Sequence, residues 1–413
     1  MTKELAQKNR NKILNKMIDN SLFIIFSRKI GDEDIHKQKY NINRNFYYIS
    51  GILEYDDIIV LKKNNNKLEE MIFINEYDES EAKWVGAPLS IQEIKNISGI
   101  NDVKYIKEFN NELDKLLKEY KNVYLDLDSK DDEKSLNYYK DQVFIKELNK
   151  YEDIKVFNGR KIFSMARTVK EPEEIKEIEK AIEITNKGIN NILKNIGEMY
   201  EYQLESYFDQ AIKYYGATGY AFPTIAASGK NATCLHYMDN KDLAKNGDLI
   251  LFDLGCSLNM YCSDISRTFP INGKFSPRQK ELYNIVLNGQ KLVFDNAKPG
   301  ITTKELNRIL IKYYEKELRR IGLIDKPEDV LKYYYHGVSH HIGLDCHDLC
   351  EYEALKPGCI ISNEPGLYIE EEGIGIRIED DILITENGAR WLSPQIIKTI
   401  DEIEDYIKRY KHE

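Results

Sequence analysis

The stretch from Asp248 to Phe269, DLILFDLGCSLNMYCSDISRTF, decides how the rest of the chain is read. Residues 249–252 and 260–269 have the content of two strands, and Leu258 and Asn259 suit the turn between them. A two-residue loop at 258–259 sets Asp253 directly opposite Asp264, because the two sit equally far from the turn. Directly opposed residues of an antiparallel pair share a face, with Cβ atoms about 4.5–5.5 Å apart. Two carboxylates that close repel by roughly 4 kcal/mol at an effective dielectric of 20. A divalent cation would offset this; two solvated acids flanking a turn would not need one. On this stretch alone both readings stand.

Further along, ISNEPGLYI (361–369) and GIGIRIEDDI (373–382) form a second hairpin by the same signals. A loop at Glu371 and Glu372 sets Glu364 opposite Glu379. Two helices precede each hairpin: 172–196 and 201–215 before the first, 277–297 and 303–321 before the second. The pattern is helix pair then hairpin, twice, an internal pseudo-repeat. Pro172 at a first helical position, with Glu173 and Glu174 in the first turn, marks the start of the long helix. Ile175, Ile178, Ile182, Ile189, Ile192 and Ile196 then fall on one face. A closing amphipathic helix is expected from Pro394, with Ile396, Ile400, Ile403 and Ile407 inward.

Upstream lies a mixed α/β segment. Strands are expected at 22–27, 58–61, 71–74 and 123–127, a polar loop at 62–67 and a helix at 106–120. The pattern lapses over 158–170, which places a domain boundary near residue 160. The fold class is α+β: a smaller α/β domain at 1–160, then a larger domain at 161–413. Across 413 residues there is room for two or three cores. A net charge of -10 speaks against nucleic acid or an anionic membrane as partner. The polar N-terminus is no signal-peptide core, so the expected address is cytoplasmic. The six cysteines show no CxxC spacing and read as free thiols.

With HGVSHHIGLDCHD (336–348), NEPGLY (363–368) and GIRIEDD (375–381) in place, the chain resembles the pita-bread metallopeptidases. Within them it resembles the proline-specific branch, Xaa-Pro aminopeptidases and prolidases. The motifs cover roughly 220–385, and RNFYYISG (44–51) is similar to that branch's N-terminal domain. The resemblance implies a C-terminal pita-bread fold with a pseudo-two-fold repeat and five metal ligands: Asp253, Asp264, His340, Glu364 and Glu379. It implies two divalent metal ions, bridged by Asp264 and Glu379, with Asp253 completing one site and His340 with Glu364 the other. Four carboxylates and one imidazole are an oxygen-rich set suited to Mn²⁺, and four negative charges balance two divalent ions. A metal-bridging hydroxide is the implied nucleophile, and Glu364 the implied proton carrier.

By the same resemblance His236 steadies substrate and His347 contacts the scissile carbonyl. His336 walls the proline pocket and Arg377 lies near the substrate's proline. Packed core histidines and a plain salt bridge are the alternatives. His341 reads as supporting or structural; His36 and His412 read as surface residues. The implied activity is removal of an N-terminal residue that precedes proline, from peptides, by a homodimer or homotetramer. Prolidase, which cleaves only Xaa-Pro dipeptides, is the runner-up. A non-catalytic scaffold is the reading from another class, disfavoured because all five ligands are kept.

Overall fold

Residues 1–27, 42–127 and 144–410 are described by a computed structural model. His36 and His412 lie outside the described residues. The chain divides into two units after Ala166. The segment expected to lapse into loop near 160 is instead the helix Arg160–Arg167. Its Phe163 is buried and packs edge-on against Phe23, with ring centroids 5.3 Å apart. That contact draws the helix into the first unit.

Six strands form the sheet of the first unit: β1 (Ser21–Phe26), β2 (Ile58–Asn64), β3 (Lys67–Ile74), β4 (Asp102–Tyr105), β5 (Asn122–Leu125) and β6 (Lys155–Asn158). Their order is β4-β3-β2-β1-β5-β6. Leu22, Ile24, Val60, Phe73 and Val123 join Phe109, Leu113 and Leu117 of the helix Phe109–Glu119 in one core. The polar loop expected at 62–67 shrinks to Asn65 and Asn66, whose φ values of 50° and 60° make the turn. Lys62 and Lys63 stay in β2, and Lys62 pairs with Glu69 of β3 at 2.6 Å. The edge strands β4 and β6 are short and carry charged residues, so their sequences show little strand signal.

In the second unit, α1 (Pro172–Asn195) packs on α2 (Glu201–Tyr214). Gly188 permits the close approach: a Cβ there would lie 2.3 Å from the Phe208 ring. Helices α3 (Pro277–Asn296) and α4 (Thr303–Arg320) are the second pair, and α5 (Ile400–Tyr410) closes the chain. α5 starts later than expected. The carbonyls of Ile396 and Ile397 accept hydrogen bonds from Arg267 instead of entering a helix ladder. No helix among the described residues is long and apolar enough to cross a membrane.

The strands between the helices form two interrupted hairpins, with β7 (Ile225–Ser228) beside the first. β8 (Leu249–Leu254) pairs with β11 (Ile265–Pro270), and β9 (Cys256–Leu258) with β10 (Tyr261–Cys262). The turn is Asn259-Met260, with φ of 48° and 70°, one residue later than expected. Asp253 therefore opposes Ser266, not Asp264. A register shift of two keeps both acids on one face, whereas a shift of one would have separated them. Cys262 opposes Ser257, and all six cysteines are free thiols. A Cβ at Gly255 would meet the Ser263 carbonyl at 2.0 Å. Glycine thus permits the close crossing where the ladder breaks beside Asp264.

The second hairpin pairs β12 (Ile360–Asn363) with β15 (Asp380–Ile384), and β13 (Gly366–Ile369) with β14 (Ile374–Arg377). Asn363 opposes Asp380 and Gly366 opposes Arg377, so Glu364 and Glu379 hold the expected register in the gap between two ladders. The loop spans 370–373, longer than expected but centred on the same point, and ends on Gly373 with φ 62°. In both hairpins the strand pairing stops beside the acids. The hairpins are joined where Glu379 N donates to Ser266 O at 3.0 Å and Thr268 Oγ1 to Arg377 O at 3.2 Å.

Arg267 clamps that junction from behind. Fully buried, it donates to Asp380 Oδ1 at 2.7 Å and to the Ser266 and Glu379 carbonyls. Asp380 also takes Lys398 at 2.8 Å. Burial alone would raise the Asp380 carboxyl, but Arg267 and Lys398 hold it below its ordinary value. Arg267→Ala leaves buried acceptors uncompensated and should cost about 3–5 kcal/mol, read as a lower urea midpoint for this unit. A loss under about 1 kcal/mol would put the clamp elsewhere.

Candidate metal centre

Asp264, His340 and Glu379 each contribute one ligand atom to a group lying within 4.8 Å of one another. The break in the first hairpin delivers Asp264, the break in the second delivers Glu379, and the loop after α4 delivers His340. His340 Nε2 lies 3.3 Å from Asp264 Oδ2 and 3.5 Å from Glu364 Oε1. Asp253 and Glu364 stand in the same cavity of 630 Å³ but outside the tight group of three. Asp253 Oδ2 accepts from Arg377 Nη2 at 2.6 Å, and its Oδ1 is buried with no partner.

The electrostatics describe a pocket short of positive charge. Burial pushes the Glu364 carboxyl up to about 7, with Asp264 adding and His340 opposing. Glu379 is driven well up by burial and by Asp264, Glu364 and Asp253. Asp253 is raised by burial, although Arg377 opposes. The His340 imidazole is held up to about 9: burial works against its charge, but Asp264 and Glu364 outweigh burial. Protons here do what a cation would do better. Convergent buried carboxylates, one imidazole and an orphaned Asp253 oxygen fit divalent metal ions.

Around this centre the sequence-predicted residues fall into place unequally. His236, His336 and His347 all line the cavity. The His347 ring lies 4.0 Å from that of His340, and burial followed by the His340 charge lowers its pKa, so it is neutral at pH 7. Burial pushes His336 down to about 4. As a neutral ring, its Nδ1–H donates to Gly337 O at 2.7 Å and its Nε2 accepts from Tyr368 OH at 2.8 Å. Tyr368, 2% exposed, does not line the cavity and stands behind His336. Arg377 donates once from each guanidinium nitrogen, to Asp253, to Ser266 Oγ at 2.8 Å and to Tyr368 OH at 3.0 Å. His341 is buried, with its Nδ1 unpartnered.

Several residues at the site went unread in the sequence. Phe222, Ile225, Leu235 and Met238 form an apolar wall opposite the acids. Nothing in the pattern of that segment points inward. Cys346 Sγ donates to Asp264 Oδ2 at 2.8 Å. Asp381, fully buried, accepts the Asp264 N–H at 3.2 Å and orients that acid from outside the cavity. Its place in the run Glu379-Asp380-Asp381 was the one signal available.

The sequence profile of metallopeptidase family M24 matches residues 176–386, and that of the aminopeptidase P N-terminal domain matches residues 6–124. Among similar proteins is the Xaa-Pro aminopeptidase of Haemophilus influenzae, 30% identical over 98% of this chain and 97% of that one. A solved chain from Bacillus anthracis, assigned as an aminopeptidase P, is 41% identical with a TM-score of 0.94, covering 99% of each chain. Aminopeptidase P of Escherichia coli, solved with the inhibitor Pro-Leu, is 28% identical with a TM-score of 0.92 over the full length of both. These matches run through both units and span the hairpins that carry the acids, and on them the chain belongs to metallopeptidase family M24, with the N-terminal domain of aminopeptidase P.

Proposed function

We infer that the chain is an Xaa-Pro aminopeptidase, a hydrolase that removes the residue before a second-position proline from peptides. The observation that carries this is the convergence of Asp264, His340 and Glu379, flanked by Asp253 and Glu364, in one cavity with three histidines. We assign two divalent ions to the five residues, with Mn²⁺ as the native metal. Bound ions would be shared by Asp264 and Glu379, with Asp253 completing one side and His340 with Glu364 the other. When bound, such ions supply Lewis acidity toward the scissile carbonyl and an activated water. Glu364 carries a proton to the leaving prolyl nitrogen, His236 steadies the substrate, and His336 gives the proline ring a flat face.

Full-length similarity to relatives of that name supports the reading. Against prolidase speaks Arg377: its charge is paired with Asp253, and each of its three guanidinium nitrogens already donates once, to Asp253, Ser266 and Tyr368. Among the described residues lining the cavity, no other lysine or arginine stands ready to meet a dipeptide's carboxylate. The unit ending at Ala166 is assigned as the N-terminal domain and the one from Arg167 as the catalytic domain, in a cytoplasmic homodimer or homotetramer. The test is hydrolysis of Gly-Pro-Gly and Gly-Pro side by side with Mn²⁺ supplied. Preference for the dipeptide would install prolidase instead.

His347, neutral beside His340, is assigned to the scissile carbonyl as its charge develops. His347→Ala should lower kcat by about 10²–10³-fold, the scale of one lost oxyanion donor, with metal content unchanged. Loss of metal from that variant would make His347 a ligand. His341→Ala, removing a buried neighbour of the ligand His340, should cost about 10- to 100-fold.

A further inference from the structure

Glu201 opens α2 as a completely buried carboxylate, and among the described residues no lysine or arginine pairs with it. Five neutral donors satisfy it instead. Its Oε1 accepts from Ser228 N at 2.7 Å, Ser228 Oγ at 2.7 Å and Asn231 Nδ2 at 3.1 Å. Its Oε2 accepts from Tyr237 OH at 2.8 Å and Asp242 N at 3.0 Å. The Glu201 N–H closes the circuit by donating to Asp242 O at 2.9 Å. Every partner belongs to one segment, 228–242, which leaves β7 and returns to pair Leu243 with Tyr200.

That segment carries Leu235, His236 and Met238 into the cavity. Among the described residues the His236 ring makes no hydrogen bond, so no polar tie of its own fixes its position. Asn240 ties the far end through Thr224 O and Ala226 N. Between 234 and 238, among the described residues, the side-chain tie is Tyr237, which neighbours His236 and donates to Glu201. A buried carboxylate is costly, and it is repaid only when its acceptor sites are filled. Here the filled sites all hold the segment that bears His236.

We propose that Glu201 is a positioning residue for the reaction: its carboxylate fixes the 228–242 segment and thereby sets His236 over the cavity. The proposal rests on the assignment of His236 to substrate. Glu201→Gln keeps the size but presents an NH₂ group to two or three of the donors, so at least one side of the cradle loses its acceptor.

The test is a double-mutant cycle of Glu201→Gln with His236→Ala, read as kcat/KM on Gly-Pro-Gly together with bound metal. Glu201→Gln should lower kcat/KM by about 10- to 100-fold, the range for outer partners that orient a functional group, with metal content unchanged. In the His236→Ala background the same change should cost nothing further. Tyr237→Phe removes one bond of the five, so it tests the proposal even if Glu201→Gln does not fold; it should show a smaller loss with the same non-additivity. Penalties that persist in full without His236 would overturn the proposal, as they would make Glu201 a general stabiliser. Wild-type activity in both variants would overturn it too. If His236→Ala alone has no effect, the substrate assignment of His236 fails, and this proposal with it.

Discussion

Asp264→Asn should cut kcat by on the order of 10³-fold or more, beyond the 10- to 100-fold typical of outer partners of a metal site. The substitution preserves size, and the Asp264 N–H bond to Asp381 uses the backbone, so the hairpin keeps its shape. What changes is charge at the centre of the cluster. Asp264 Oδ2 lies 3.3 Å from His340 Nε2 and accepts from Cys346 Sγ, and it belongs to the tight group of three ligand atoms. An amide there is neutral and donates on one side. A bridging role means that both ions lose a ligand at once, so metal analysis should show less than two equivalents per chain. Circular dichroism should match the parent. Near-normal turnover with Mn²⁺ supplied would make the bridging assignment wrong.

An alanine peptide, Gly-Ala-Gly, should be hydrolysed slower than Gly-Pro-Gly by about 10²–10³-fold. A prolyl bond has no N–H, so a site that grips backbone through that donor cannot hold it. Recognition falls to the ring, and each methylene lost from an apolar pocket costs about 10- to 200-fold in kcat/KM. His336 supplies a fixed face for that ring, because both of its nitrogens are engaged, by Gly337 O and Tyr368 OH. The restricted proline φ also narrows the orientations of the preceding carbonyl, which favours a reactive geometry. Alanine offers neither the surface nor the restriction. Equal rates for the two peptides, measured as kcat/KM at one metal concentration, would remove proline specificity from this chain and leave a general aminopeptidase.

The second hairpin was legible down to its register because its loop grew symmetrically: 370–373 has the same centre as 371–372, so Glu364 still meets Glu379. The first was not, because its turn places Met260 at φ 70°, a conformation that methionine seldom adopts and that no local pattern announces. Placing the turn one residue early moved the partner of Asp253 from Ser266 to Asp264. Both acids nevertheless reach the cavity, since an even shift conserves the face. The helix Arg160–Arg167 hid for a different reason. It is short and rich in charge, and Phe163 fixes it only by meeting Phe23 from far away in the chain.

The local repeat of apolar residues, at two for strands and near 3.6 for helices, determined by itself the twice-used helix-pair-and-hairpin plan and the acids that the hairpins carry. The two hairpins by themselves offered two pairs of facing carboxylates, and His340 joined them as a ligand only through the family resemblance. Only the tertiary structure decided that Asp264, His340 and Glu379 crowd together while Arg377 holds Asp253 aside. It also moved Tyr368 behind His336, built the apolar wall from Phe222, Leu235 and Met238, and drew five donors onto Glu201. These are contacts between residues distant in the chain. Turn dihedrals, a missing Cβ at Gly255 and the competition for buried acceptors set them, and none of those leaves a periodic trace in sequence.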